Sequence, residues 1–224
     1  MQLEGAYAAG VPEQVVGLQL TSRGGSMYRY DVFVSYKRES ANKRLVTPWL
    51  AQVLDRIEYW LRQEMGGQHI SIFFDEESIE IGTDWPNEIR DALLSAKCLL
   101  PVWSPEYFHS RWCIAEWKSF LAREQLISGR TQRPCRLTAP IKFHDGMWFP
   151  SEAQRVQQLD LSPYAATTKA FWDSPRADEL DQRIMKFAPA LARVVSGAPP
   201  HEAGWPIDPG EPVARPSGVG MARL

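Results

Sequence analysis

Residues 98–120, CLLPVWSPEYFHSRWCIAEWKSF, contain the elements that decide the fold of this chain. The short apolar run from Cys98 to Trp103 is bounded by turn residues, which is typical of a strand buried on both faces. Residues 104–105 end that strand, and a loop carrying Tyr107 leads to a helix that begins near Arg111. A buried strand followed by a loop and a helix is the repeating unit of an open α/β sheet.

One carboxylate, Glu116, lies in the second turn of the predicted helix, four residues after Trp112. Residues four apart share a helix face, so this carboxylate is expected near an aromatic ring at the helix start. Open α/β sheets bind their ligands beyond the carboxyl ends of the strands, which is where this helix begins. The spacing leaves two interpretations open: a carboxylate in a ligand site, or a solvated glutamate beside a core tryptophan.

The same alternation of strands and helices extends from residue 30 to about residue 195. The predicted strands are rich in β-branched, aromatic or other apolar residues and cover Tyr30–Tyr36, Ile70–Phe74, Cys98–Trp103, Leu137–Phe143 and a short segment around Leu159 and Leu161. This order predicts a mostly parallel sheet with helices on both faces. With the strand order 2-1-3-4-5, a ligand crevice opens between strands one and three.

Caps and prolines set the expected helix bounds. Apolar spacing predicts a helix over residues 46–65, with Thr47 and Pro48 in its first turn and glycines 66–67 ending it. A second helix is expected with Thr83 or Asp84 as its cap and Pro86 in its first turn, and its apolar face includes Trp85 and Ala96. Pro140 places the fourth strand towards the sheet edge. The last helix is expected to begin at Pro175, and Pro189 to kink or interrupt it.

Three segments are expected along the chain. Residues 1–27 show little periodicity and predict a flexible leader. Residues 28–196 form the folded domain. Residues 197–224 are rich in Pro and Gly and predict an extended tail with no core.

Composition excludes several classes of function. The chain has 224 residues and a net charge of −2, so its global charge favours neither nucleic acid nor an anionic membrane. Its three cysteines follow no disulfide framework, which predicts reduced thiols in a cytoplasmic protein. No Cys or His cluster has metal-binding spacing. No signal peptide and no apolar run of roughly 20 residues is found.

The end of the first strand is basic. Tyr36 is followed by Lys37 and Arg38, two adjacent cations at the expected sheet edge. The alternatives are contact with phosphate groups or a solvated loop. If Glu116 follows the third strand as predicted, basic and acidic groups converge on one cleft.

Three segments in order resemble the motifs of the Toll/interleukin-1 receptor (TIR) domain family. YDVFVSYKRE (residues 30–39) is similar to its first box, and IFFDEESIEIGTDWPNEIRDAL (72–93) to its second strand, BB loop and following helix. SPEYFHSRWCIAEW (104–117) is similar to its S-x-x-Y-x-x-S-x-W-C-x-x-E segment. The resemblance covers roughly residues 28–195 and implies a flavodoxin-like open sheet of about five mostly parallel strands in the order 2-1-3-4-5.

The resemblance to the bacterial NAD+-consuming members also implies an activity. Such members cleave the bond between nicotinamide and ribose in NAD+ and release ADP-ribose or a cyclised form, and their catalytic glutamate falls on Glu116. The substrate-binding residues implied by the resemblance are Ser35, Tyr36, Lys37, Arg38, Asp75, Gly82, Trp85, Ser104, Tyr107 and Trp112. Family enzymes often carry a bulky aromatic residue shortly after the loop glycine. In this chain Asp84 and Trp85 occupy that part of the loop.

The resulting hypothesis is an NAD+ glycohydrolase or ADP-ribosyl cyclase of prokaryotic anti-phage immunity, activated by self-association. NAD+ is its substrate, and neither cofactor nor metal is expected. The expected partners are further copies in a homo-oligomer or filament and a separately encoded sensor or effector protein, without direct nucleic acid or membrane contact. The alternative is a non-catalytic TIR module that acts through TIR–TIR or partner assembly.

Overall fold

The structure, a computed structural model, describes residues 27–38, 40–74 and 87–209, with side chains from residue 45 onward in the second range. Its strands are β1 Tyr30–Ser35, β2 Ile72–Phe73, β3 Ala96–Trp103, β4 Ile141–Lys142 and β5 Leu159–Asp160. Its helices are α1 Ser40–Glu64, α2 Asn87–Leu94, α3 Pro105–His109, α4 Arg111–Thr131, α5 Ser151–Gln154, α6 Lys169–Trp172 and α7 Pro175–Ser196, with a 3-10 turn at Ser162–Tyr164.

The five strands form one parallel sheet in the order β2-β1-β3-β4-β5. The predicted α/β class and strand order are therefore confirmed. The register pairs Ser35 with Pro101 and Trp103 with Lys142, so β1, β3 and β4 end at the same edge of the sheet. That edge is the place where parallel sheets bind ligands.

Each face of the sheet carries its own apolar core, because successive strand side chains point to opposite faces. Val32 and Val34 pack in a cluster with residues of α1 and α7. Phe33, between them in sequence, packs in a second cluster with residues of α2 and α4. Helices thus cover both faces of the sheet.

The first helix begins earlier than its apolar spacing predicts. It starts at Ser40 rather than Val46, and Pro48 lies inside it rather than in its first turn. Proline removes one backbone hydrogen bond from a helix interior. Trp49 and Leu50, at most 1% exposed, bury apolar surface directly after it and offset this loss. The predicted end is confirmed, since Gly66 and Gly67 both have positive φ.

Two smaller expectations are wrong, and one is wrong in part. Ala96 begins β3 instead of lying on the α2 face, and Tyr107 lies on the short helix α3 rather than in a loop. The fourth strand lies towards the sheet edge as expected, next to the edge strand β5, although β4 pairs with both β3 and β5. Pro140 precedes β4 and contributes its carbonyl, which accepts from the Leu159 amide at 2.9 Å. The helix α7 begins at Pro175 as predicted and continues through Pro189 to Ser196, so Pro189 does not interrupt it, while the expected kink remains a prediction.

Residues 197–209 do not match the expected tail without a core. Trp205 is 4% exposed, and its ring faces the guanidinium of Arg123 on α4, with 5.0 Å between ring centroid and Cζ. The amide of Asp208 donates to Ser119 Oγ on the same helix at 2.9 Å. The three predicted segment boundaries remain predictions.

Within the described ranges, no helix combines the length and the hydropathy that a membrane span requires.

Candidate functional site

Two serines cap the helices that follow β3. Ser104 caps α3, and its Oγ accepts from the Tyr107 amide at 3.2 Å. Ser110 caps α4, and its Oγ accepts from the Cys113 amide at 3.4 Å. Side-chain acceptors at these positions satisfy amides that have no partner inside the helix. The serine spacing in residues 104–113 therefore produces two consecutive helix starts at the carboxyl edge of the sheet.

The second of these helices brings Glu116 to the end of β1. The Glu116 side chain is 2% exposed, and Ser35 Oγ donates to its Oε2 at 2.5 Å. The alternative of a solvated helix glutamate is therefore wrong. A carboxylate removed from water needs hydrogen-bond or ionic partners, and Ser35 supplies one of them.

Tyr107 extends this contact into a short hydrogen-bonded chain. Its Oη lies 2.9 Å from Ser35 Oγ and donates to the Cys113 carbonyl at 3.0 Å. The Ser35 proton is directed to Glu116, so Ser35 Oγ accepts from Tyr107, whose proton is shared between two acceptors. The chain Tyr107–Ser35–Glu116 joins α3, β1 and α4.

The Tyr107 hydroxyl and the Cys113 thiol, both close to Glu116, have raised pKa values. Burial raises the pKa of Tyr107 well above its usual value, and the nearby Cys113 and Glu116 raise it further. Burial, followed by Glu116, raises the pKa of the Cys113 thiol to about 12. Both groups stay protonated at neutral pH, so Tyr107 acts as a hydrogen-bond donor and Cys113 is not a thiolate nucleophile.

Arg38 supplies positive charge beside the carboxylate. Its Nη2 lies 4.0 Å from Glu116 Oε1, and its side chain is 10% exposed. The guanidinium also lies 5.6 Å from the centroid of the Tyr36 ring. An ion pair shielded from water in this way is screened less than a surface pair. A basic and an acidic side chain thus meet at this edge, but neither Arg38 nor Glu116 is among the residues that line the cavity there, so their expected convergence on one cleft remains a prediction.

A cavity of about 300 Å³ opens at the same edge, on the α1 side of the sheet. Ligand pockets have volumes of roughly 300–1,000 Å³, so the cavity is at the lower limit for a small molecule. It is lined by residues that follow β1, β3 and β4, together with Val46 and Val102: Tyr36, Lys37, Ser104, Pro105, Glu106, Phe143 and His144.

The structure divides the predicted site residues into groups. Ser35, Tyr107, Arg38 and Glu116 meet in one cluster, whereas Tyr36, Lys37 and Ser104 line the cavity. The ring of Trp112 is half-buried and packs under the guanidinium of Arg111, with 4.2 Å between Cζ and the centroid. Asp75, Gly82 and Trp85, with Asp84, lie outside the described residues.

Phe143 and His144 were not predicted as site residues. They follow β4, whose carboxyl end lies at the same edge as those of β1 and β3. The parallel order predicted for the sheet was a sufficient signal, since every strand of such a sheet delivers its following loop to this edge.

A family model described as "TIR domain" matches residues 32–172. The chain belongs to the TIR domain family. Over 96 residues, 43% of the chain, this TIR domain is 30% identical to TMV resistance protein N of Nicotiana glutinosa. The match covers 7% of that relative, so the chain spans a small part of its length.

Two solved structures are also similar to this TIR domain. One is the TIR domain of the Toll-related receptor TRR-2 of Hydra magnipapillata, with 19% identity, 66% of this chain and 97% of that chain covered, and a TM-score of 0.36. The other comprises the TIR domains of the activated Roq1 resistosome that recognises the pathogen effector XopQ, with 19% identity, 75% and 84% covered, and a TM-score of 0.31.

Among the described residues of this TIR domain, no group of three or more His, Cys, Asp or Glu side chains is placed to hold a metal ion.

Proposed function

We propose that this TIR domain is an NAD+ glycohydrolase or ADP-ribosyl cyclase that breaks the bond between nicotinamide and ribose, with Glu116 as the catalytic carboxylate. The observation that carries the proposal is the placement of Glu116 at the carboxyl edge of the sheet, buried and oriented by Ser35. A surface glutamate would instead be exposed to solvent.

The reaction suits a single carboxylate. As the glycosidic bond breaks, its electron pair goes to the nicotinamide nitrogen, and the ribose acquires oxocarbenium character. A preorganised negative charge in a site of low dielectric stabilises such a cation more than water does. The nicotinamide ring is a positively charged pyridinium in NAD+ and becomes neutral as it leaves, so no general acid is required. Water, or a nucleophilic atom of the adenosine, then captures the ribosyl cation.

The cations at the end of β1 suit the other half of the substrate. Lys37 lines the cavity, and Arg38 lies between Tyr36 and Glu116. Guanidinium and ammonium groups bind phosphate oxygens through charge-assisted hydrogen bonds. These two side chains are assigned to the pyrophosphate of NAD+.

The wider role rests on the resemblance to bacterial members of the family. The enzyme acts in the cytoplasm in prokaryotic anti-phage immunity, and self-association in an oligomer or filament activates it. A separately encoded sensor or effector protein is its further partner.

Mass spectrometry of the reaction mixture tests the activity. The full chain is incubated with NAD+ over a range of protein concentrations, beside Glu116→Gln and the matched control Glu124→Gln. Glu124 is a second buried carboxylate of α4, 5% exposed, that accepts from the Leu137 amide at 2.7 Å. It lies about 12 Å from Glu116 along the helix axis, at roughly 1.5 Å per residue. Glu116→Gln is expected to lower nicotinamide release by about 100-fold or more, and Glu124→Gln to retain it.

Absence of turnover at every concentration, or retained turnover in Glu116→Gln, overturns the proposal. The second candidate function is then favoured, a non-catalytic module that acts through TIR–TIR or partner assembly. The near-complete burial of Glu116 is the observation that supports this candidate, because the Ser35 contact also ties α4 to β1. In that case Glu116→Gln lowers thermal stability and leaves self-association, measured by light scattering, unchanged.

A further inference from the structure

Residues 198–208, called the strap here, follow α7 and return along α4. Every third residue of the strap, from residue 202 to residue 208, contacts α4. Glu202 accepts from Arg130 Nη1 at 2.7 and 2.8 Å, Trp205 packs on Arg123, and the Asp208 amide donates to Ser119 Oγ. The strap therefore advances as the numbering of α4 decreases, so the two segments run antiparallel.

The spacing of these contacts fits a strap that follows the helix axis, with a turn at residues 203–204. The α4 residues 119 and 130 are separated by about 16 Å along the helix axis, at roughly 1.5 Å per residue. The strap residues 202 and 208 span at most about 20 Å, at roughly 3.3 Å per residue. The strap therefore runs along one face of α4, from the amino edge of the sheet towards its carboxyl edge.

The last described contact of the strap lies about one helix turn from the candidate catalytic residue. Ser119 is fully buried, and its Oγ also donates to the carbonyl of Ala115 at 2.7 Å. Ala115 directly precedes Glu116 in the helix turn that faces β1. The last described contact of the strap therefore connects to the turn that carries the carboxylate.

The same segment also holds α2. His201 Nε2 donates to the carbonyl of Leu94, the last residue of α2, at 3.2 Å. Beneath the strap, the fully buried Arg123 donates to the carbonyls of Leu93 at 3.2 Å and Ala96 at 2.9 Å. A cation suits the carboxyl end of a helix, where carbonyls lack partners. The Arg123 guanidinium joins α2 and α4, and Trp205 covers it.

Arg123 remains charged in this position. Burial lowers its pKa to about 10, which still leaves the guanidinium protonated at neutral pH. A buried charge depends strongly on the groups that shield and bind it. Removal of the Trp205 ring would admit water to the junction of α2, α4 and β3.

We propose that the strap is a positioning element of the active site, in which Trp205 and Ser119 hold α4 in the register that presents Glu116 to Ser35. The part of this inference that concerns turnover rests on the proposed function. The part that concerns the protection of α2 and α4 from hydrogen exchange does not depend on the proposed function. Trp205 acts through Glu116, and it is a positioning residue.

Hydrogen–deuterium exchange on the full chain, read by peptide, tests the inference together with steady-state kinetics. The variants are Trp205→Ala, the conservative Trp205→Phe, and the matched control Trp172→Ala, which removes a half-buried tryptophan of α6. Trp205→Ala is expected to raise exchange in α2 and α4 by about tenfold or more, without the same rise in α1 and α7. Trp205→Phe is expected to restore most of the protection, and Trp172→Ala to leave α2 and α4 as in the wild type.

In the kinetic arm, Trp205→Ala is expected to lower kcat for nicotinamide release by about tenfold while KM changes less, because the carboxylate is displaced but the cations after β1 are not. Exchange that rises equally in every helix, or that does not rise in α4, overturns the inference. A wild-type kcat in Trp205→Ala, together with raised exchange in α4, also overturns it. A wild-type chain without turnover overturns the proposed function instead, and the strap is then judged by exchange alone.

Discussion

Ser35 Oγ lies 2.5 Å from Glu116 Oε2, which links the last residue of β1 to the second turn of α4. The two residues are 81 positions apart in the chain. The contact orients the carboxylate at the sheet edge, and Tyr107 orients the serine in turn. This arrangement leads to an ordered set of mutational effects.

Ser35→Ala removes the donor to Glu116 and leaves a buried carboxylate oxygen without it. We expect the free energy of unfolding to fall by about 1–3 kcal/mol. We also expect nicotinamide release to fall by about tenfold or more, because the carboxylate is no longer oriented. Chemical denaturation and the release assay measure the two effects. Ser174→Ala, which removes a hydroxyl at the start of α7, is the control expected to keep wild-type turnover.

Tyr107→Phe removes the hydroxyl that lies one step further from the carboxylate. Glu116 keeps its Ser35 donor in this variant, so the loss of turnover is expected to be smaller than in Ser35→Ala. The loss of stability is expected to be similar, about 1–3 kcal/mol, since Ser35 and the Cys113 carbonyl lose a buried donor. If turnover is lower in Tyr107→Phe than in Ser35→Ala, the proposed order of hydrogen bonds, from Tyr107 to Ser35 to Glu116, is contradicted.

Lys37→Gln removes a positive charge from the lining of the cavity. If Lys37 binds the pyrophosphate, KM for NAD+ is expected to rise by about tenfold with little change in kcat, because the contact exists in the ground state and the transition state alike. Steady-state kinetics at constant ionic strength measure both constants. Lys118→Gln removes an exposed cation of α4 as a control, and an equal rise of KM in both variants argues against a specific contact.

Glu124 gives the stability of the fold a defined pH dependence. Burial raises its pKa in the folded state, against the opposing hydrogen bond from the Leu137 amide. The folded protein therefore holds this proton more tightly than the unfolded chain does. Its contribution to the free energy of unfolding falls as pH rises from the unfolded pKa, about 4.3, through the higher folded value. Glu124→Gln is expected to reduce that fall in denaturant titrations between pH 4 and pH 7, whereas an unchanged profile contradicts it.

Asp160 has the opposite effect. Burial alone would raise its pKa, but hydrogen bonds from Lys142 and Ser162 outweigh burial and hold the pKa below its usual value. Its contribution to stability is therefore present above the unfolded pKa, about 3.9, and is lost as pH falls through the lower folded value. Asp160→Asn is expected to make unfolding less sensitive to acid below about pH 4, as measured by thermal melts.

Particular elements show how far prediction from the sequence extended. Segments rich in β-branched, aromatic or other apolar residues predicted all five strands. The clearest was Cys98–Trp103 in β3, because a strand buried on both faces needs a continuous apolar segment. The start of α1 was wrong since Pro48 resembles a first-turn proline, and only the packing of Trp49 and Leu50 reveals that the helix continues through it. Trp205 was assigned to a tail because prolines and glycines surround it, and local composition does not report the buried guanidinium on which it packs.

The candidate site divides in the same way. The sequence by itself determined the alternation of strands and helices and the motif that places a glutamate beyond the third strand, because periodicity and local spacing are properties of short segments. The strand order followed from the resemblance to the TIR family. Only the tertiary structure decided that Glu116 is buried, that Ser35 and Tyr107 orient it, and that residues 198–208 return along its helix. These contacts join residues distant in the chain, and their distances depend on how the helices pack against the sheet.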